Sequence, residues 1–231
     1  MPRAVLFDLN GVLVDDEPIH LRLLLRALAE EGIEPPAAWA RTTFLGVDDR
    51  TCLRAAFARA GRSYDPVLEA RLVARKAAYY QAEIRAAGYP VVPGAGAAVA
   101  ALADAGLWLG VVSGALRAEV EGALRGAGLR DRFALVVTAE DVARGKPDPE
   151  GYERAIAQLR RLAAADDRLI HPHEIVAVED SPAGLAAAAA AGLATLAVIS
   201  GPLAGVRPSA DAVVGSIAEI TPALLAERFS D

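Results

Sequence analysis

The stretch AVLFDLNGVLVDD, residues 4–16, decides how the rest of the chain is read. It opens on four apolar residues, Ala4 to Phe7, too few for a helix and rich in strand-prone side chains. That predicts a short buried β-strand. Asp8 follows at once and Asn10 stands two residues further on, so both fall at the strand's carboxyl end. From 15 to about 88 every periodic segment is helical. Ile19, Leu23, Leu24, Ala27 and Leu28 recur at helical spacing over 17–32, Gly32 ends that run, and residues 48–60 and 66–87 repeat the style. GYPVVPGAG, residues 88–96, then concentrates Gly and Pro and predicts a hinge or linker.

Beyond the hinge the rhythm changes. A helix over 95–105 precedes the apolar run LWLGVVS (107–113), and a helix over 116–127 precedes FALVVT (133–138). Helix 149–164 leads to EIVAVED (174–180), helix 182–191 to ATLAVIS (194–200), and DAVVG (211–215) with a final helix closes the chain. Strands alternating with helices predict an α/β fold, a doubly wound parallel sheet covered on both faces. The expected organisation is an α/β core of residues 1–14 and 89–231, with a helical cap of residues 15–88 inserted after the first strand. Ligands of such sheets sit beyond the carboxyl ends of the strands, and the insert is expected above that crevice as a lid.

Composition narrows the function. With 54% hydrophobic residues in 231 the chain can bury a large core. A net charge of −6 leaves no basic surplus to neutralise phosphates, which argues against a nucleic-acid partner. A single cysteine, Cys52, excludes an internal disulfide and a cysteine zinc cluster, and reads as a small buried hydrophobe. Asp8 breaks the N-terminal apolar run, and the alanine run 186–191 is too short to cross a bilayer. The expectation is a cytoplasmic protein without a membrane partner.

The polar residues at the strand ends carry the chemistry. The first strand ends at Asp8 and Asn10, the second at Ser113 and Gly114, the third at Thr138 before a loop with Lys146, and the fourth at Glu179 and Asp180. One acid at a strand end is ordinarily a turn former or cap, and Ser181 before Pro182 and Asp148 before Pro149 read that way. Capping does not account for acids, a hydroxyl and a lysine converging from four strands. That set suits phosphoryl transfer: carboxylates hold a Mg²⁺, Lys146 and Ser113 hold phosphate oxygens, and Asp8 attacks to form an aspartyl phosphate.

FDLNGVLVDDEPIH, VVSGALR, GKPDPEGY and VEDSPAGLAAAAAAG together resemble, in order and spacing, the four motifs of the haloacid dehalogenase superfamily. The insert resembles the four-helix cap of its β-phosphoglucomutase-like and sugar-phosphate phosphatase branch. The resemblance implies Asp8 as nucleophile and a Mg²⁺ site of Asp8, the backbone carbonyl of Asn10, Glu179 and Asp180. It implies phosphate binding by Ser113 and Lys146, with Gly114 and Ala115 supplying backbone N–H groups. It aligns Arg50, in the cap segment GVDDR, with a substrate-binding arginine, His20 with a histidine near the cap hinge, and Arg117 with a cation that holds a second phosphate. Its members act on small phosphorylated metabolites, many as monomers.

Asn10 departs from the pattern. The family's phosphatases and mutases carry aspartate there, which protonates the leaving oxygen and later activates water. An amide cannot shuttle that proton, a loss of about 10²–10⁴ in rate. Four accounts stay open: an engineered change; a natural one with substrate or His20 taking the acid–base role; a phosphometabolite-binding or regulatory module; and another chemistry of the superfamily. Dehalogenation needs no Mg²⁺ and would leave Glu179 and Asp180 without purpose. Phosphonate cleavage wants a cap lysine, and Lys76, the only lysine besides Lys146, reads as a surface residue. The expectation is a phosphatase slowed by Asn10, with a phosphomutase or a non-catalytic binder as the alternatives. Gly94 and Gly96 read as a helix start rather than a dinucleotide fingerprint. His171 and His173 fall at the opposite end of the fourth strand.

Overall fold

The computed structural model describes residues 2–44, 47–199 and 208–230. In chain order the elements are β1 (Ala4–Phe7), α1 (Glu17–Ala29), α2 (Ala37–Phe44), α3 (Asp49–Arg59), α4 (Pro66–Ala87), α5 (Ala95–Asp104), β2 (Trp108–Val112) and α6 (Arg117–Gly126). Then follow β3 (Leu135–Val137), α7 (Glu150–Ala165), β4 (Ile175–Glu179), α8 (Pro182–Ala190), β5 (Ala194–Val198), β6 (Ala212–Val214) and α9 (Pro222–Phe229). The chain divides into two compact units, Met1–Asp15 with Pro90–Asp231, and Asp16–Tyr89.

The first unit is a six-stranded sheet in the order β3-β2-β1-β4-β5-β6, with every pairing parallel. The α/β expectation is borne out. Strands buried on both faces need continuous apolar runs, and every residue of β1 and β4 is buried. Tyr152, Ala155, Ile156 and Leu159 of α7 and Ala187 and Ala188 of α8 close over this sheet. From β1 the strand order runs outward through β2 and β3, then returns to β4 on the other side. The β1–β4 boundary is therefore the switch point, where a parallel sheet opens a crevice at its carboxyl edge. Hydrogen bonding continues one residue past the strands there: Asp8 N donates to Val178 O at 2.9 Å and Ser113 N to Val137 O at 3.0 Å. The segments flanking the helical unit are tied together within the sheet unit. Asp15 N donates to Pro90 O at 2.8 Å, Val92 N donates to Leu13 O at 3.0 Å, and Val14 bridges Val91 antiparallel.

The second unit holds α1 to α4. Asp48 caps α3 by accepting from Arg50 N and Thr51 N, and Asp65 caps α4 from Val67 N and Leu68 N, ahead of Pro66 at its first position. Leu24, Leu28, Leu53, Phe57 and Leu72 form its core. Helix α2 has only Ala40 and Phe44 buried in eight residues, too little for a periodic signal. Lys76 corrects the surface reading: it is 2% exposed, on the fourth helix of the unit. Its Nζ lies 2.8 Å from Asp49 Oδ2 and also meets Nδ1 of His20. Leu72, Lys76, Tyr80 and Ile84, four apart, form the buried stripe of α4, so the period was present and only the residue type concealed it. The predicted strand 194–200 ends at Val198, and its last residue, Ser200, lies outside the described residues.

Phe57 is fully buried and packs on Tyr64 at 4.9 Å between ring centroids. Phe57→Ala is expected to lower the unfolding free energy by about 3–5 kcal/mol. Urea melts followed by circular dichroism measure this, and a loss under about 1 kcal/mol would contradict this packing.

Candidate active site

Four strand ends of the sheet unit supply the site. Asp8 follows β1, and the next turn is made by Gly11 at φ +76°. A side chain at Gly11 would put its Cβ 1.9 Å from Oδ2 of Asp180, and one at Gly184 would put it 1.9 Å from Oε2 of Glu179. The two glycines therefore vacate the volume that the two carboxylates occupy, and at Gly11 the positive φ favours glycine as well. Ser113, directly past β2, is buried, and its Oγ accepts from Ala115 N at 3.1 Å.

Lys146 comes from the loop between β3 and α7. Glu150, at the start of α7, accepts from Ala143 N at 3.0 Å and Arg144 N at 3.0 Å and so pins that loop. Arg154 and those two amides hold the Glu150 carboxyl down to about 2. The Lys146 ammonium donates to Asp8 Oδ1 at 2.6 Å and to Val112 O at 2.9 Å, and lies 2.6 Å from Glu179 Oε1. Three acceptors match its three N–H bonds. Burial works against its charge, yet Asp8 and Glu179 outweigh burial and raise its pKa. Burial pushes the Glu179 carboxyl up to about 7, with Lys146 opposing and Asp8 adding to the rise. Tyr152 donates its hydroxyl to Glu179 Oε1. Burial and then the Glu179 charge push that phenol well above 10.

Carboxylate oxygens of Asp8, Glu179 and Asp180 lie within 4.8 Å of one another. Lys146 is the ammonium inside this group, so with all three acids ionised, three carboxylates and one cation leave two negative charges in a largely buried place. Among the described residues, Glu179 Oε2 is buried without a hydrogen-bond partner. Oxygen donors, a surplus of two charges and an unpaired buried oxygen together fit a hard divalent cation such as Mg²⁺.

Of the residues singled out in the sequence, the structure joins Asp8, Lys146, Glu179 and Asp180, and Val112 O ties the strand end before Ser113 to the same ammonium. Asn10 lies half-buried two residues past Asp8, its backbone bridged to Val14. Gly114 is exposed, and Ala115 spends its N–H on Ser113. Arg117 opens α6 with its guanidinium on Asp141. Arg50 and His20 belong to the helical unit. Arg50 is exposed near Glu69 at 3.7 Å. His20 stacks on Tyr80 at 4.4 Å, with Asp16 Oδ2 3.2 Å from Nε2 and Lys76 at Nδ1. Both ring nitrogens are thus engaged, which weakens His20 as a substitute acid for Asn10. Tyr152 was missed. Its signal was a bulky aromatic on the inner face of α7, six residues after Lys146, since a buried phenol needs a partner.

Comparison with known proteins shows what the chain is similar to. The haloacid dehalogenase-like hydrolase family matches residues 2–192. A phosphoglycolate phosphatase of Rhodospirillum rubrum is 36% identical over 84% of this chain and 78% of its own length. A validoxylamine A 7'-phosphate phosphatase of Streptomyces hygroscopicus subsp. limoneus is 30% identical over 95% of this chain and 96% of its own. Among solved structures, an aspartate-to-asparagine mutant of CbbY from Rhodobacter sphaeroides, in complex with xylulose-(1,5)bisphosphate, superposes with a TM-score of 0.78. It shares 27% identity and is covered over 95% of this chain and 96% of its own.

The raised Glu179 carboxyl sets a pH test in metal-free protein. Its folded pKa of about 7 lies above the ordinary 4.5, so its contribution to stability is complete below 4.5 and is lost as pH rises through 7. The metal-free chain is expected to lose melting temperature across that window, Mg²⁺ to restore it at pH 7, and Glu179→Gln to flatten both responses. Differential scanning calorimetry with and without EDTA reads this; a Mg²⁺ response that survives Glu179→Gln would sink the assignment.

Proposed function

This chain belongs to the haloacid dehalogenase-like hydrolases, and we propose that it is a Mg²⁺-dependent phosphatase of small phosphorylated metabolites acting through an aspartyl phosphate on Asp8. The observation that carries this is the Lys146 ammonium at 2.6 Å from both Asp8 and Glu179, beside the three-carboxylate cluster at the sheet's switch point. The relatives' names support the substrate class, since both curated enzymes cleave phosphate from small molecules. Asp8, Glu179, Asp180 and the backbone carbonyl of Asn10 would hold Mg²⁺, which when bound supplies charge neutralisation for the phosphoryl group.

The chain's own residues do the rest. Lys146 fixes Asp8 through Oδ1, so the carboxylate meets the phosphorus in a set orientation. An Asp8 oxygen forms the new P–O bond while the ester P–O bond breaks and the alcohol oxygen departs with the electron pair. Water then attacks the phosphorus as the Asp8 O–P bond breaks, which restores the carboxylate; the water's proton ends on the released phosphate or in solvent, and the alcohol oxygen takes its proton from solvent. Ser113 holds an equatorial oxygen, and the positive charge of Lys146 beside Asp8 stabilises the charge that spreads over all three. Tyr152, through Glu179, positions the metal-side carboxylate. Asn10 offers no proton to the departing oxygen, so esters of poor leaving groups turn over slowly while binding is kept. The CbbY mutant that holds its bisphosphate with an asparagine in place of an aspartate supports an amide as compatible with binding.

The engaged Arg117 favours a phosphatase over a mutase, whose cycle needs a cation for a second phosphate. Asn10 also supports a second reading, a non-catalytic phosphometabolite binder with the same site. We place the protein in the cytoplasm; no described helix is long and apolar enough to cross a membrane.

The two readings separate on p-nitrophenyl phosphate and glucose 6-phosphate with Mg²⁺. The aryl ester leaves without much protonation, so this chain is expected to hydrolyse it, and Asp8→Asn to abolish that. Asn10→Asp is expected to raise turnover of the sugar ester by about 10²–10⁴-fold and that of the aryl ester far less. Absence of turnover by both forms on both esters, with phosphate still bound, would establish the binder instead.

A further inference from the structure

We infer that the loops after β2 and β3 select a phosphate monoester whose alcohol portion carries no second anionic group: a neutral polyol or an amino-polyol monophosphate. This rests on the phosphatase reading above and goes further, to the substrate's distal end.

The two loops form one edge of the sheet unit. Ala139 N donates to Ala115 O at 3.1 Å, fastening the turn Ala139–Asp141 to the segment that follows Ser113. Arg117, four residues past Ser113, donates its backbone N–H to Glu140 and its guanidinium to Asp141. Asp141 is itself immobilised: Oδ2 also accepts from Thr138 N at 2.8 Å and from Thr138 Oγ1 at 2.9 Å, and Thr138 is fully buried. These bonds hold the Asp141 carboxylate facing Arg117. Burial opposes its charge, but Thr138 and Arg117 outweigh burial and hold the carboxyl below the usual range.

The charge on this edge follows. Residues 113–117 and 138–141 carry one cation, Arg117, and two anions, Glu140 and Asp141. The next cation along, Arg144, is 2.6 Å from Asp148. A single phosphate is met by Ser113 and by the positive charge of Lys146. A second phosphate or a carboxylate on this edge would meet an arginine already matched and a further carboxylate, Glu140, which is exposed. A hydroxyl or an ammonium would instead find an acceptor there. Discrimination by screened charges at a solvent-facing edge is modest, about tenfold at moderate salt.

The test is binding to the chain as it stands, with Mg²⁺ present and Asn10 keeping turnover low. Calorimetric titration compares sorbitol 6-phosphate and glucosamine 6-phosphate with 2-phosphoglycolate and glucose 1,6-bisphosphate. The first two are expected to bind about tenfold more tightly than the second two. The isosteric pair Glu140→Gln and Asp141→Asn keeps the acceptor oxygens for Thr138 and Arg117 but removes both charges. It should erase or reverse that preference without weakening inorganic phosphate. A preference for the doubly anionic ligands in the unmodified chain overturns the inference, as does a preference unchanged in the double variant. If inorganic phosphate does not bind and p-nitrophenyl phosphate is not cleaved, the phosphatase reading falls and takes this inference with it. Cleavage of the aryl ester together with a bisphosphate preference overturns the inference alone.

Discussion

The Lys146 ammonium, held between Asp8 and Glu179, is the interaction on which the sheet unit's carboxyl edge depends. Buried like charges repel strongly where water is scarce. Asp8, Glu179 and Asp180 stay within 4.8 Å of one another because one cation is fixed among them. The neighbouring structure serves that cation. Val112 O takes its remaining N–H, Glu150 pins the loop that carries it, and Tyr152 donates to the carboxylate on its far side. Lysine suits this role better than arginine, being a compact point charge with three donors.

Much of this was legible in the sequence for a physical reason. Parallel strands buried on both faces must be continuous apolar runs, and each such run ends where the chain can turn polar. Strand identity and the acids beyond it are therefore written in the same few residues, as in AVLFD and IVAVED. What stayed hidden were pairings between side chains far apart in the chain. Nothing periodic links Arg117 to Asp141, or Lys76 to Asp49 and His20. Lys76 occupies an apolar position of α4, and a charge at such a place reads as surface until its partners are known. Helix α2 was hidden by its shortness, and Tyr152 because the partner of its phenol, Glu179, lies 27 residues further along the chain.

On the proposed reading, Asn10 would keep the shape of the site while removing a proton carrier from it. An amide and a carboxyl have the same shape, and the turn at Gly11 still fits against Asp180. His20, the cap residue considered as a substitute acid, has both ring nitrogens engaged within its own unit.

The paired segments at residues 13–15 and 90–92 carry a last consequence. The chain leaves the sheet unit and re-enters it through two stretches bonded to each other, Asp15 to Pro90 and Val92 to Leu13, with Val14 bridging Val91. Whatever lies between is, to the sheet, a loop whose ends are already closed. Closure cost grows only with the logarithm of loop length. A short turn, a larger bundle or a different domain would be accommodated at nearly equal cost. The helical unit is in this sense a replaceable module, and the fold leaves that part of the chain free to diversify while the carboxylates and their lysine stay in place.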